Sequence, residues 1–424
     1  MSIYQVTRLE NGLSVATADM PHMASVSLGL WVGVGGRHEP AELNGVCHYI
    51  EHMLFKGTRR RSAREISESV EGIGGYLNAF TSEENTCFYA KARHDRFEDL
   101  LEVLMDMFLN SVFDPGEINK ERDVIKEELA MYLDQPHHHV LELLNELQFP
   151  DHPLGRSLTG TQQTLDRLGR PELLAYLRQS YVAPATLVVA AGRLPQGHAG
   201  VVRRVQRHAR RILSGTPPVA VPFVPAQDRP RLRLVRKETA QTQLALGIQT
   251  CSRHDERRFA LRVLSTLLGE NMSSRLFQVL REDRGLAYSV QSSVTYLEEV
   301  GAFVLSVGLD ADKLPQALKL VMRELRRIAA KAPPATELQR AREYLIGQMD
   351  LGLEGTENQM TWTGEQLLAY GRVLSPGLAR RQITQVTGAQ VRAAAADFFR
   401  PERMNLAIVS PLKSAKGLTD LLSW

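Results

Sequence analysis

Two histidines and a glutamate stand within five residues of one another in His48-Tyr49-Ile50-Glu51-His52. On an α-helix, side chains at i, i+3 and i+4 share one face. Both imidazoles can then reach a single divalent metal ion, with Glu51 beside it. Zinc accepts neutral imidazole nitrogens at roughly 2.0–2.1 Å and, in catalytic sites, keeps one position open for water. A carboxylate next to that water can take its proton. A lone histidine is usually structural, but two at helical spacing around a carboxylate point to metal chemistry.

Two histidines need a third protein ligand. The best source is the acidic stretch Glu117 to Leu133, which carries Glu121, Glu127 and Glu128. If it is helical, Ile118, Ile125, Leu129 and Tyr132 form its apolar face and Glu127 points to water. Glu121 and Glu128 lie two turns apart on one flank of that face. Either can turn towards a metal, and periodicity does not rank them.

These segments need a scaffold, and the length of 424 residues predicts more than one domain. The apolar share of 43% and charged share of 23% fit a globular protein. A net charge of +3 gives no bulk electrostatic case for nucleic acid or membrane. No apolar run is long enough to span a bilayer. The N-terminus reads as strand, turn and strand from Tyr4 to Ala18 around Asn11-Gly12, not as a leader, so the expected location is cytoplasmic. Cys47, Cys87 and Cys251 fit neither a disulfide framework nor a thiolate site; they read as small buried hydrophobes.

Ser214 to Pro230 contains Pro217, Pro218, Pro222, Pro225 and Pro230, a density that prevents helix and favours extended chain. It predicts a domain over 1–213, a linker over 214–230 and a second domain over 231–424. The halves are alike in pattern, which predicts an internal repeat. The strand-like Val26 to Val32, followed by Arg37-His38-Glu39, matches Gln243 to Ile248, followed by Arg253-His254-Asp255. Glu117 to Leu133 matches Glu337 to Leu353. His48, Glu51 and His52 then fall on Leu264, Leu267 and Leu268, and Glu128 on Gln348. Thr86 to Ala92 and Gly301 to Leu309 read as strands, Arg93 to Leu109 and Leu314 to Ala330 as helices. The expected fold class is α+β, with a sheet in each half covered by helices on one face.

With these segments in hand, the chain resembles the pitrilysin-type zinc peptidases, whose metal motif is the inverted H-x-x-E-H. It is most similar to the short two-domain group that includes the mitochondrial processing peptidase β subunit and its bacterial relatives. The resemblance spans essentially the whole chain. It rests on His48 to Thr58, Gly74 to Thr81, Glu121 to Glu128, Pro153 to Arg156, Gly160-Thr161 and Arg284 to Val290. It implies two similar domains, each a mainly antiparallel sheet covered by helices, facing each other as a clamshell. It implies one zinc per chain held by His48, His52 and Glu128, with Glu51 as general base and Glu121 as a second catalytic-site carboxylate. It implies that Asn78 and Ala79 bind substrate backbone, that Phe80 floors a pocket, and that Arg281 and Tyr288 contact substrate near the scissile bond. The expected activity is hydrolysis of extended or unfolded peptides. Because one chain carries both the zinc motif and the Arg/Tyr pair, a self-sufficient homodimer, or a monomer whose halves close on each other, is expected rather than an obligate complex of two different chains. The rival is a non-catalytic core or partner subunit of a processing-peptidase-like complex.

Three further features read blandly. His137-His138-His139 reads as an exposed helix start, since adjacent histidines diverge. Arg203, Arg204, Arg207, Arg210 and Arg211 read as a solvated face. Gly33-Val34-Gly35-Gly36 lacks the Lys-Ser/Thr of a phosphate loop.

Overall fold

The computed structural model describes residues 3–423. The chain opens with β1 (Tyr4–Arg8), β2 (Ser14–Asp19) and β3 (Ser25–Val32), then α1 (Val46–Leu54) and α2 (Ala63–Glu71). A hairpin of β4 (Tyr76–Thr81) and β5 (Thr86–Arg93) leads into α3 (Phe97–Asn110), α4 (Pro115–Asp134) and α5 (Pro136–Gln148). Next come α6 (Gln162–Arg167), α7 (Arg170–Ser180), β6 (Thr186–Gly192) and α8 (Gly197–Ala209). The proline-rich stretch Ser214 to Pro230 forms neither helix nor strand. After it come β7 (Arg231–Arg236), β8 (Thr242–Thr250), α9 (Arg258–Gly269), the short α10 (Arg275–Phe277), β9 (Ala287–Tyr296) and β10 (Gly301–Leu309). The chain closes with α11 (Leu314–Ala330), α12 (Ala335–Gly352), α13 (Thr356–Tyr370), α14 (Pro376–Gln385), α15 (Gly388–Phe398) and β11 (Met404–Ser410). Among the described residues no helix is long and apolar enough to cross a membrane. The three cysteines are buried and unpaired.

The fold is mixed α+β. The six-stranded sheet has the order β1-β2-β6-β3-β5-β4 and the five-stranded sheet β7-β11-β8-β10-β9. Both are antiparallel except for one parallel pair each, β2–β6 and β7–β11. Read from β2 and from β7, the two orders correspond strand for strand.

The compact units are interleaved rather than contiguous. The first comprises the residues up to Leu129, Arg156–Val221 and Leu351–Leu374; the second comprises Ala130–Gly155, Pro222–Asp350 and the residues from Ser375 on. The contiguous division at 214–230 therefore does not describe the packing. α5, from the N-terminal half, buries Val140, Leu143 and Leu144 against Ala245 of β8 and Ala407 and Val409 of β11. α13, from the C-terminal half, packs Met360 against Ala16, Trp31, Leu187 and Val189.

This exchange corrects the expectation of helices on one face only. In β3, Val26, Leu28, Leu30 and Val32 enter the main core of the first unit, while Trp31 enters the cluster under α13. In β6, Val188 and Ala190 face one way, and Leu187, Val189 and Ala191 the other. Strands buried on both faces read as continuous apolar runs, which conceals the second helix layer. Hydroxyls of Ser25 and Ser27 meet Thr356 at the start of α13, and Tyr4 Oη donates to Gln359 Oε1 at 2.8 Å.

Gly364 lets α13 sit on the indole of Trp31. A Cβ at this position would overlap the Trp31 ring, which is fully buried and has no room to move. Helix propensity alone favours Gly364→Ala by about 1 kcal/mol. Overpacking a filled site costs about 1–3 kcal/mol and decides the sign. Gly364→Ala is thus expected to lower the urea midpoint of the first unfolding transition; a raised midpoint would show that α13 does not rest on Trp31 as described.

Candidate functional site

α1 buries Val46, Cys47, Tyr49, Ile50, Met53 and Leu54 and leaves His48, Glu51 and His52 partly exposed on the remaining face. Its N-terminus is capped from outside the helix. The buried Glu39 accepts from the backbone N–H of Gly45 and Cys47 at 2.8 Å each and from Asn44 Nδ2 at 3.0 Å. Three donors at a helix N-terminus stabilise a carboxylate there, although burial pushes the Glu39 carboxyl above its ordinary range. Asp255, its match in the second half, instead accepts from Arg257 N.

α4 lies beside α1. Tyr49 Oη donates to the carbonyl of Ile118, and Ile118 and Ile125 are buried. Arg122 ties α4 to the carbonyls of Leu165 and Leu168 at 3.0 and 2.9 Å. Glu127 is exposed, whereas Glu121 and Glu128 turn towards α1.

The donor atoms of His48, His52 and Glu128 all lie within 4.8 Å of one another. Glu128 Oε2 is 3.7 Å from Nε2 of each histidine, too long for a hydrogen bond. Zinc bonds of ~2.1 Å at tetrahedral angles would separate neighbouring donors by roughly 3.4 Å, so these three fit one ion. Glu121 does not compete for this position. Its Oε2 meets His52 Nδ1 at 3.0 Å and its Oε1 pairs with Lys56 Nζ at 2.6 Å. A carboxylate on Nδ1 holds the proton there and leaves the Nε2 lone pair facing Glu128. Burial, helped by the neighbouring His52, pushes the His48 pKa down to about 3, so this imidazole is neutral and able to ligate.

Glu51 sits at the same cluster. Burial raises its carboxyl and the Glu128 charge adds to this, while a hydrogen bond from Thr81 Oγ1 to Oε2 at 2.5 Å and the proximity of His52 oppose it. Thr81 ends β4, which is an edge of the first sheet. Asn78, Ala79 and Phe80 lie on this strand: Asn78 is exposed, and Ala79 and Phe80 are half-buried. The Phe80 ring packs edge-on to Trp31 with centroids 5.5 Å apart.

Arg281 and Tyr288 belong to the second unit. Arg281, on the π-helical turn Gln278–Glu282, is half-exposed and stacks over the Phe277 ring at 5.0 Å. Tyr288 is exposed on β9, and its hydroxyl donates to Asp310 Oδ1 at 3.1 Å. The positions matching His48, Glu51 and His52, namely Leu264, Leu267 and Leu268, are buried in the core of that unit.

The other features are ordinary. The three consecutive histidines lie in the first turn of α5. Arg204 and Arg207 pair with Glu98, Arg203 bonds Gln196 and Arg211 bonds Asn110. Sequence reasoning gave no role to Lys56, Glu39 or Thr81. A hint existed for Glu39, an acid shortly before a helix that opens without a capping side chain.

Two family descriptions match the chain: "Insulinase (Peptidase family M16)" over residues 14–162 and "Peptidase M16 inactive domain" over 167–345. The chain is 37% identical over 417 residues to an uncharacterized zinc protease of Streptomyces coelicolor, covering 97% of this chain and 90% of that protein. It is 35% identical over 404 residues to the uncharacterized zinc protease YmxG of Bacillus subtilis, covering 95% and 97%. A protease from Helicobacter pylori has a similar fold, with a TM-score of 0.90 at 20% identity over 96% of this chain and 99% of that one. So does a peptidase M16 inactive domain from Pseudomonas fluorescens, with a TM-score of 0.89 at 19% identity over 97% and 99%. The family matches and the close relatives together give the assignment: the chain belongs to peptidase family M16, the insulinase family.

Proposed function

We propose that this protein is a zinc-dependent endopeptidase acting on extended or unfolded peptides, with one zinc per chain held by His48, His52 and Glu128. The observation that carries the reading is the convergence of those three donor groups beside Glu51. Zinc, when bound, supplies Lewis-acid polarisation and lowers the pKa of a water towards about 7. Glu51 accepts the proton of the attacking water and returns it to the leaving amine. Glu121, fixed by Lys56, orients His52 rather than ligating.

The substrate is an extended chain because the site borders a sheet edge. β4 is an edge strand paired on one side with β5, so a peptide can add as a further strand through hydrogen bonds with little demand on sequence, displacing the Asn78 Oδ1 that the Ala79 N–H now meets. Asn78 and Ala79 hold its backbone and Phe80 receives a side chain. Arg281 and Tyr288 supply cationic and phenolic donors for substrate carbonyl oxygens. The second half, whose matching positions are leucines, binds but does not cleave. A whole-chain scaffold role is disfavoured by the complete donor set in the first half.

Replacing Glu51 by Gln is expected to leave zinc content intact and to lower kcat on a quenched, unstructured peptide by about 10²–10⁴-fold, the scale of a general base. Undiminished cleavage would remove Glu51 from that role, and absence of cleavage by the zinc-loaded wild-type chain would favour the scaffold.

Glu128→Gln is expected to lose zinc on dialysis, whereas Glu121→Gln keeps a metal site weakened about 10–100-fold. Titration with a chromophoric chelator reads both; the reverse order would exchange the roles of the two glutamates. Both halves of the proposed machinery are present in one chain, so the active species is read as a homodimer. Native mass of the active fraction is expected to be twice the chain mass, and activity that needs a second, different chain would contradict this.

A further inference from the structure

We infer that Thr81 is a positioning residue for Glu51, holding Oε2 so that Oε1 is the atom that takes the proton. The inference rests on the endopeptidase reading above. A glutamate has several rotatable bonds, and an unheld carboxylate spreads over many rotamers. At Glu51 one oxygen is already committed: Thr81 Oγ1 donates to Oε2 at 2.5 Å, in the range of short, charge-assisted O–H···O⁻ bonds. Among the described residues, Thr81 is the hydrogen-bond donor to this carboxylate.

Thr81 is itself fixed from several sides. It pairs with Thr86 at the end of the β4–β5 ladder. The turn that follows is closed by Ser82 N to Asn85 O at 2.8 Å and Asn85 N to Ser82 Oγ at 3.1 Å. The loop before α1 clamps this turn from outside. Gly36 N donates to Ser82 O at 3.0 Å and Arg37 N to Glu83 O at 2.8 Å. Gly35 passes so close that a Cβ there would collide with the Ser82 carbonyl. The buried Arg37 side chain pairs with Glu84 at 2.5 Å. One loop thus positions both partners, because it runs on through Glu39, the cap of the helix that carries Glu51.

The second unit provides the contrast. At the same end of its ladder, opposite Gly301, stands Tyr296, whose hydroxyl donates to the Arg258 carbonyl. The helix position matching Glu51 is Leu267. The hydroxyl–carboxylate pair occurs in the half that carries the metal-type donors. It also joins the base to the strand that carries Asn78, Ala79 and Phe80.

The test is steady-state cleavage of an unstructured quenched peptide by zinc-loaded full-length variants. Thr81→Val keeps the branched shape a strand prefers and exchanges the hydroxyl for a methyl. It is expected to lower kcat about 10–100-fold with KM and zinc content unchanged, the scale typical of outer-shell partners. Thr81→Ser is expected to recover most of the loss. Because Thr81 acts through Glu51, adding Thr81→Val to Glu51→Gln should cost nothing further. If Thr81→Val fails to fold, Thr81→Ala against Thr81→Ser makes the same comparison. Wild-type turnover by Thr81→Val, an effect on KM alone, or full additivity with Glu51→Gln would each overturn the assignment of Thr81 while leaving the endopeptidase reading intact. An inactive wild-type chain, or an unimpaired Glu51→Gln, would instead overturn that reading.

Discussion

The site depends on the chain of contacts Lys56–Glu121–His52, at 2.6 and 3.0 Å. Without a carboxylate on Nδ1, the His52 ring would be free to choose its tautomer and to rotate, and Nε2 would have no fixed direction. Lys56 gives the largely buried Glu121 carboxylate an ion-pair partner, so that this polar group is not buried alone. The contact also makes α1 and α4 a pair, so that the Nε2 atoms of both histidines meet Glu128 from the neighbouring helix. Glu39 does the corresponding work at the other end of α1, filling donors that Gly45 has no side chain to satisfy.

The sheets behind this arrangement are enclosed on both faces. β3 and β6 are covered on both faces, by the main core of the first unit and by α13. β8 and β11 are enclosed likewise by their own core and α5. Each of these helices follows directly on one member of a matched helix pair, α5 after α4 and α13 after α12. The exchange means that neither half of the chain, taken alone, contains the residues that close its own sheet. Cutting the chain at the proline-rich stretch would leave two apolar sheet faces bare.

What could be read beforehand was local. The spacing of His48, Glu51 and His52 gave a helix face, and the strands β5 and β10 and the helix α11 were legible from period and composition. The repeat was legible from matching segments such as Glu117 to Leu133 and Glu337 to Leu353, and the two sheets keep the same strand order. The choice between Glu121 and Glu128 came from the family resemblance and not from periodicity, since both lie on one flank of α4 and differ in their contacts across to α1. Thr81 and Lys56 were missed for the same reason: each acts on a residue of another element, and no local pattern encodes such a contact. The second helix layer was missed because strands buried on two faces lose the alternation that would mark a solvated one.

The second unit serves as an internal control on what the scaffold requires. Leu264, Leu267 and Leu268 are buried in its core, and burying a leucine contributes about 1.5–3 kcal/mol relative to leaving it exposed. The matching face of α1 forgoes that contribution three times over and holds two imidazoles and a carboxylate instead. It then needs Glu121, Lys56 and Thr81, none of which the leucine version requires, to keep those groups in place. A sequence selected for stability alone would drift towards the apolar set, as the other repeat shows that it can. Holding the polar set together with its supporting contacts, in place of three buried leucines, is what the proposed metal site requires of this scaffold.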